Sequence, residues 1–277
     1  MVKNKIFLIH LINSFKKIVV TFSFILLFSS CNDDGTKADY AITSIPYIVG
    51  TSNSYRWSNQ VDSAGVIIQA ESDSFTIRVK STSETINGLN NLTLLEATRL
   101  SGTEVLQKVW YNAKSDSLTE IAYRFGTGFT GIPIFPKHNS RIMGVSLLSI
   151  PRSIEMILSK KPGIDTLILR DDPRIVYRFP LSVGKKWTSF RSPFIQTREV
   201  VGVELVTVKS GIFPCIKIKS TIGDLTSDAL EYYDYVNQNG LILRTFTARL
   251  IYTTELNPDG IGIFATINER LELIAHN

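Results

Sequence analysis

The chain of 277 residues is 44% hydrophobic and 20% charged, with 17 Gly, 10 Pro and 2 Cys, which excludes a disordered tail, a collagen-like rod and a disulfide-stapled mini-domain. The net charge of +5 invites a nucleic-acid reading, but Lys3, Lys5, Lys16 and Lys17 fall in residues 1–30, where there is no acid. Of the 30 basic residues, 26 then face 25 acidic ones over the rest of the chain, and no nucleic-acid partner is expected.

Residues 1–30 read as a signal peptide. Scattered lysines precede the apolar run Ile18–Phe28 (IVVTFSFILLF), and the small residues Ser29 and Ser30 follow. A bilayer-spanning helix needs about 20 apolar residues, and extending the run backwards meets Lys16, Lys17, Ser14 and Asn13. At the exit stands Cys31. The stretch Leu26–Cys31 (LLFSSC) resembles a bacterial lipobox, in which the peptidase cuts before a cysteine that carries diacylglycerol and is then acylated at its new amino group. The resemblance departs from the strict pattern at Phe28, three places before the cysteine. Lipidation at Cys31, with palmitate-like chains, makes the membrane the expected partner, since each buried CH₂ contributes about 0.8 kcal/mol. Residues 31–40 are a polar tether. Asp33 and Asp34 resemble the acidic export signal of some surface lipoproteins, so the outer membrane is expected with either its periplasmic or its cell-surface face occupied.

Residues 41–135 read as a β meander. Phe75, Ile77 and Val79 alternate with Thr76, Arg78 and Lys80, the period of a half-buried antiparallel strand. Thr119, Ile121, Tyr123 and Phe125 are expected on one face, with Glu120 and Arg124 on the other. Asn87-Gly88 and Ser101-Gly102 mark turns. Gly126–Gly131 satisfies the G-x-G-x-x-G spacing, but Pro133 and Pro136 follow within five residues, so the helix that a dinucleotide site requires cannot start there. Residues 136–179 form a bridging segment. Within it Ile154, Ile157 and Leu158 space one short helix over Arg152–Lys161, and Asp171-Asp172 reads as a solvated turn without the ligand ladder of a calcium site.

Residues 180–277 read as a second β meander, with turns at Lys209-Ser210-Gly211, Asn239-Gly240 and Asp259-Gly260. On its last strand Ile261, Ile263, Ala265, Ile267, Leu271 and Leu273 share one parity and Thr266, Asn268, Arg270 and Glu272 the other. Ser182-Val183-Gly184-Lys185 has the S-x-x-K spacing of some serine nucleophiles, but Pro180 and Gly184 make it a turn before a strand. Pro46–Gly50 (PYIVG) before Trp57 parallels Pro180–Gly184 (PLSVG) before Trp187, a sign of two related β units. Cys215 has no partner once Cys31 is acylated, and in Ile212–Lys219 (IFPCIKIK) it reads as a small core residue. With Cys31 removed from play, the mature chain keeps only His138 and His276 as histidines, so neither a metal site nor any other cofactor is expected. Tyr232, Tyr233, Tyr235, Phe246, Tyr252, Trp187 and Phe190 concentrate aromatics here, with Tyr232 and Tyr233 on opposite faces of their strand.

The stretches Pro180–Trp187 (PLSVGKKW), Val201–Cys215 (VGVELVTVKSGIFPC), Ile216–Lys219 and Tyr232–Arg244 (YYDYVNQNGLILR) resemble a group of uncharacterised bacterial envelope lipoproteins. These are similar in outline to half-barrel carriers of the LolA/LolB type. The resemblance implies a mostly β fold, a curved antiparallel sheet of half-barrel type with at most one short helix besides the signal helix. It also implies an apolar ligand, though it carries over no functional residue; a carrier version of this protein predicts an open concave surface lined by residues such as Trp187, Phe190, Ile216 and Tyr233. The sheet could instead be filled by residues 141–161 and act through its outer face. The expected role is a non-enzymatic, lipid-anchored binding or structural module. The alternative is an enzyme acting on envelope polymers with two of the carboxylates Glu204, Asp228, Glu231 and Asp234, set about 5–9.5 Å apart.

Overall fold

Alternation of apolar and polar residues becomes strand after strand in the computed structural model, which describes residues 40–126, 166–191, 195–223, 229–253 and 263–277. The first run in chain order is β1 (Ser52–Ser63), β2 (Val66–Ile86), β3 (Leu89–Arg99), β4 (Val105–Ala113), β5 (Ser117–Phe125) and β6 (Leu167–Arg178). The second is β7 (Lys186–Phe190), β8 (Gln196–Val208), β9 (Gly211–Ile222), β10 (Leu230–Asn237), β11 (Gly240–Thr253) and β12 (Ile263–His276). All twelve belong to one antiparallel sheet in the order β6-β5-β4-β3-β2-β1-β12-β11-β10-β9-β8-β7, and Ala41–Asn277 forms one compact unit. The predicted helix at 152–161, the G-x-G-x-x-G residues after Gly126, His138, Asp228 and Cys31 lie outside the described residues.

That order is an up-and-down meander whose first and last strands meet in the middle of the sheet. β1 pairs with β12 from Asn53↔His276 to Asp62↔Thr266. The two edge strands, β6 and β7, are consecutive in sequence and touch without a ladder. Side chains join them instead. Trp187 Nε1 and Ser189 Oγ both donate to the Ile175 carbonyl, at 3.1 and 2.9 Å. Arg198 Nη1, from β8, donates to the Val176 carbonyl at 2.9 Å. The sheet is therefore a nearly closed barrel, curved further than a half-barrel.

The inner face holds the core. Phe75, Ile77 and Val79 are buried as their alternation requires, and Trp57, Leu271 and Leu273 join them. A cross-section of twelve strands is wider than the eight that ordinary side chains fill, and long side chains occupy it. Arg198, Arg244, Tyr55, Tyr111, Tyr177 and Tyr232 are among the largest fully buried residues. The outer face is the wet one: Glu96 meets Lys80 and Lys108 at 3.4 and 3.3 Å, and Lys186 meets Glu199 at 3.1 Å. This reverses the apolar-out pattern of membrane-spanning barrels.

Two expectations fail on β5 and β6. Glu120 is fully buried and paired with Arg170, where alternation had placed it outward. Register shifts between Trp110 and Tyr111, and between Glu120 and Ala122, insert bulges, and one extra residue exchanges the two faces beyond it. Asp171-Asp172 lies within β6 and forms no turn, although Asp171 is exposed; the carboxylate of Asp172 accepts the Arg191 amide at 2.7 Å.

The two Pro-x-x-Val-Gly pieces fold alike. Gly50 and Gly184 take φ of +96° and +86°, a left-handed geometry that glycine adopts without a Cβ penalty. In each case the following amide closes a turn, Thr51 N to Ile48 O at 3.1 Å and Lys185 N to Ser182 O at 3.0 Å. Each glycine amide then bonds a valine carbonyl on the next strand, Val79 and Val200, at 2.9 and 2.8 Å, and that valine's own amide returns the bond to Thr51 or Lys185. The S-x-x-K stretch is thus a turn before β7.

Candidate functional site

Two features inside the barrel bring polar chemistry together: a buried charge cluster and, towards one end, a cavity. The cluster forms because β8, β10 and β11 each place a charged residue at an inward position. Asp234 and Arg244 are direct cross-strand partners on β10 and β11. Arg244 Nε and Nη2 donate to the two oxygens of Asp234 at 2.6 and 3.0 Å. Arg198 Nη2 donates to Asp234 Oδ2 at 3.0 Å and to the Tyr232 hydroxyl at 2.9 Å. The Tyr232 ring lies 5.7 and 5.4 Å from the two guanidinium carbons, within cation–π range. Burial works against the charge of Arg244, but the Asp234 carboxylate outweighs it and raises the pKa. Burial raises the Tyr232 phenol to about 12 against the opposing pull of Arg244. One carboxylate thus anchors two guanidiniums in a water-poor interior. Arg198 extends the network to the β6 carbonyl, so the same cluster fastens the barrel's open junction.

The cavity lies where the chain enters the barrel. Strand directions put the start of β1 and the ends of β6 and β12 at one end, and there an entry strap, residues 41–51, crosses the mouth. Ile42 exchanges two backbone hydrogen bonds with Leu181, at 3.2 and 2.8 Å, on the β6–β7 side, and Gly50 is bonded to Val79 of β2. Ile42 and Ile45 turn their side chains into the barrel and are buried. Under the strap is a cavity of about 150 Å³ with Ile45, Tyr55, Val79, Leu95, Tyr177 and Leu241 in its wall. The Tyr55 hydroxyl donates to the Leu241 carbonyl at 2.9 Å. Among the described residues the Tyr177 hydroxyl has no hydrogen-bond partner, although the residue is 1% exposed. Burial raises the Tyr177 phenol well above its usual value, with Asp234 adding to the rise, and burial raises Tyr47 in the same way, reinforced by Tyr111 and Tyr55. Both stay protonated donors at neutral pH.

The residues expected to line an open concave surface are divided. Trp187, Phe190 and Ile216 are inside, but they are 6%, 3% and 0% exposed and packed as core. Phe190 joins Val61, Tyr232, Phe246 and Ile267 in one cluster, with the Arg174 guanidinium 4.4 Å from its ring. Tyr233 faces out, because it alternates with the inward Tyr232 and Asp234; the Lys217 amine sits 4.7 Å from its ring. Of the carboxylates, Glu204 is ion-paired with Lys217 at 2.8 Å on the surface, and Glu231 with Arg249 at 2.6 Å. Asp234 points inward between its two arginines. These three share no cleft. Cys215 is fully buried, and burial raises its thiol to about 12, as suits a core residue. His276 is on the rim, with Nδ1 hydrogen-bonded to the Asn53 amide oxygen.

Sequence reading passed over Arg198, Arg244 and Tyr177. A signal was present for the arginines. Arg198 alternates in step with Gln196 and Val200, and Arg244 with Ile242 and Phe246, so each is a charge on an apolar face. Such a residue is stable only with a buried partner, and Asp234, in step with Tyr232 and Val236, is the matching acid.

Fold and site together define an up-and-down antiparallel barrel with an ionic centre and a strapped end. No family model matches the chain, and no curated protein matches it. Among solved structures it is similar to one described as a "putative exported protein with YmcC-like fold" from Bacteroides fragilis, at 14% identity over 85% of this chain and 99% of that one, with a TM-score of 0.32. A likeness at that level places no residue and assigns no role.

Proposed function

We propose that this protein is an exported, lipid-anchored module of the cell envelope, held in the outer membrane through acyl chains on Cys31 and acting by binding or by structure, without catalysis. The observation that carries the reading is the leader: a cationic start, the apolar run Ile18–Phe28 and Ser29-Ser30 end on a cysteine. The chain beyond that cysteine fits an anchor. Nine residues, Asn32–Tyr40, separate Cys31 from Ala41, where the compact unit begins, a path of ten Cα steps. At no more than about 3.6 Å per residue, the tether holds the start of the barrel within about 36 Å of the lipid. The polar outer wall suits a body resting in water beside a membrane. The packed interior, whose cavity of about 150 Å³ is below even the roughly 300–1,000 Å³ of ordinary small-molecule pockets, favours recognition by surface or by a very small ligand over transport of whole lipids.

Cys31→Ser tests the anchor. The wild type is expected to take up radiolabelled palmitate and to sediment with membranes, and the variant to lose the label. Unlabelled wild-type protein would overturn the reading.

A further inference from the structure

We propose that the cavity beneath the entry strap is a binding site for a small, mostly apolar molecule with one hydrogen-bond acceptor, which the Tyr177 hydroxyl recognises. This reading stands on the barrel alone and does not depend on lipidation at Cys31.

Three observations converge. The first is size. A volume of about 150 Å³ is too small for an acyl chain of membrane length and matches apolar cavities that admit a single ring the size of benzene. The second is the wall, in which Ile45, Val79, Leu95 and Leu241 present aliphatic carbon. The third is Tyr177. A buried hydroxyl left without a partner costs about 1–3 kcal/mol, and among the described residues none accepts a hydrogen bond from Tyr177. An acceptor on a bound molecule satisfies Tyr177 and leaves the carbon wall for the remainder. The strap forms one side of the cavity through Ile45, Tyr47 and Ile48, and is hydrogen-bonded to the barrel on either side of them, at Ile42 and Gly50.

The acceptor is met by a donor whose surroundings carry a net positive charge, from Arg198 and Arg244 against Asp234. Ketone, ester and carboxylate oxygens all fit that description, so the shared chemistry is the acceptor, and the test separates neutral from anionic sources.

The test uses the full chain with Cys31→Ser, which leaves no acyl group to compete, and follows the methyl resonances of Ile45, Val79, Leu95 and Leu241 during titration. The probes are cyclohexanone, methylcyclohexane and benzoate. Cyclohexanone or benzoate is expected to shift those methyls with saturation and to bind about five- to tenfold more tightly than methylcyclohexane, the worth of one buried hydrogen bond. Whichever of the two binds more tightly identifies the neutral or the anionic class. Tyr177→Phe deletes only an oxygen without a partner, so it is expected to melt no lower than the parent and to remove that five- to tenfold preference. No saturable shift with any probe would overturn the proposal. So would equal affinity for cyclohexanone, benzoate and methylcyclohexane, or a preference that survives in Tyr177→Phe.

Discussion

The barrel closes on itself at two junctions of different kinds. At β1–β12 the first and last strands share a backbone ladder from Asn53↔His276 to Asp62↔Thr266, broken by one bulge between Ser54 and Tyr55. At β6–β7, strands adjacent in sequence share no backbone ladder among the described residues and meet through side chains: Trp187, Ser189 and, from β8, Arg198 reach the carbonyls of Ile175 and Val176, and the Asp172 carboxylate accepts the Arg191 amide. A ladder satisfies amides and carbonyls of both strands together. Side-chain donors satisfy carbonyls alone and add the entropy cost of fixing a tryptophan and an arginine. The barrel's first and last strands are thus sewn together firmly, and the weaker closure falls between β6 and β7, where the strap bonds to Leu181 and the charge cluster reaches across. The side-chain junction is accordingly the place where local opening is expected.

The largest effect is expected from Asp234→Ala. Removing it leaves Arg198 and Arg244 as buried cations without their carboxylate, and breaking such a pair costs about 3–5 kcal/mol. A urea denaturation midpoint measures the loss. Asn268→Ala removes a polar bridge on the ladder side, between Thr247 and Asp62, and is expected to cost no more than about 1 kcal/mol. Similar losses from the two variants would mean that the ionic centre contributes nothing special to closure.

A double variant, Trp187→Phe with Ser189→Ala, asks the question more narrowly. It withdraws both donors from the Ile175 carbonyl while keeping an aromatic ring in the core, at about 0.5–1.5 kcal/mol for each bond. Amide hydrogen exchange should quicken on β6 around Arg174–Arg178 and stay unchanged along β1 and β12. Uniform quickening across all twelve strands would show that the two junctions open as one.

These junctions also mark where reading by sequence stops. Alternation is local, so Phe75-Ile77-Val79 on β2 and Ala265, Ile267, Leu271 and Leu273 on β12 announce both strand and buried face, and Asn87-Gly88 announces its hairpin. Closure is not local. The pairing of Trp57 with Leu271 joins residues over two hundred positions apart, and no feature of either neighbourhood specifies it. Bulges are equally silent: Glu120 reads as outward until one extra residue turns it in. The cavity required both kinds of information, since Ile45, Leu95, Tyr177 and Leu241 come from the strap and three strands. Tyr177 gives no sign in sequence that its hydroxyl lacks a partner.

The paired turns at Gly50 and Gly184 offer a smaller test, because one lies beside the ladder and the other beside the side-chain junction. A Cβ at either glycine meets nothing within 4 Å, so Gly50→Ala and Gly184→Ala introduce backbone strain alone, about 1–2 kcal/mol. Thermal melts should show nearly equal losses if the turns are energetically as alike as their hydrogen bonds. A clearly larger loss at Gly184 would locate the difference in the junction it borders, since the turn geometry is shared.

The smallest effect at neutral pH, and the most selective at high pH, concerns Cys215 on β9, the third strand from the side-chain junction. Burial holds its thiol at about 12 in the folded protein, whereas in an unfolded chain a thiol ionises near 8.5. Above that value the unfolded state sheds a proton that the folded state keeps, so stability falls as pH rises from about 9 towards 12. The buried phenols, Tyr232 raised to about 12 and Tyr47, Tyr55 and Tyr177 also raised, form a second group whose decline begins only near pH 10, where a free phenol ionises. Cys215→Ala should therefore flatten the stability curve between pH 9 and 10 and leave the steeper part above it. Denaturation midpoints taken across that range would separate the two groups, and an unaltered slope between pH 9 and 10 would mean that the thiol is not shielded as its burial requires. At pH 8 the same shielding predicts slow alkylation of the native thiol. If the Trp187→Phe, Ser189→Ala variant accelerates that alkylation, the flank from β7 to β9 opens from the side-chain junction inward; an unchanged rate would confine the opening to β6 and β7.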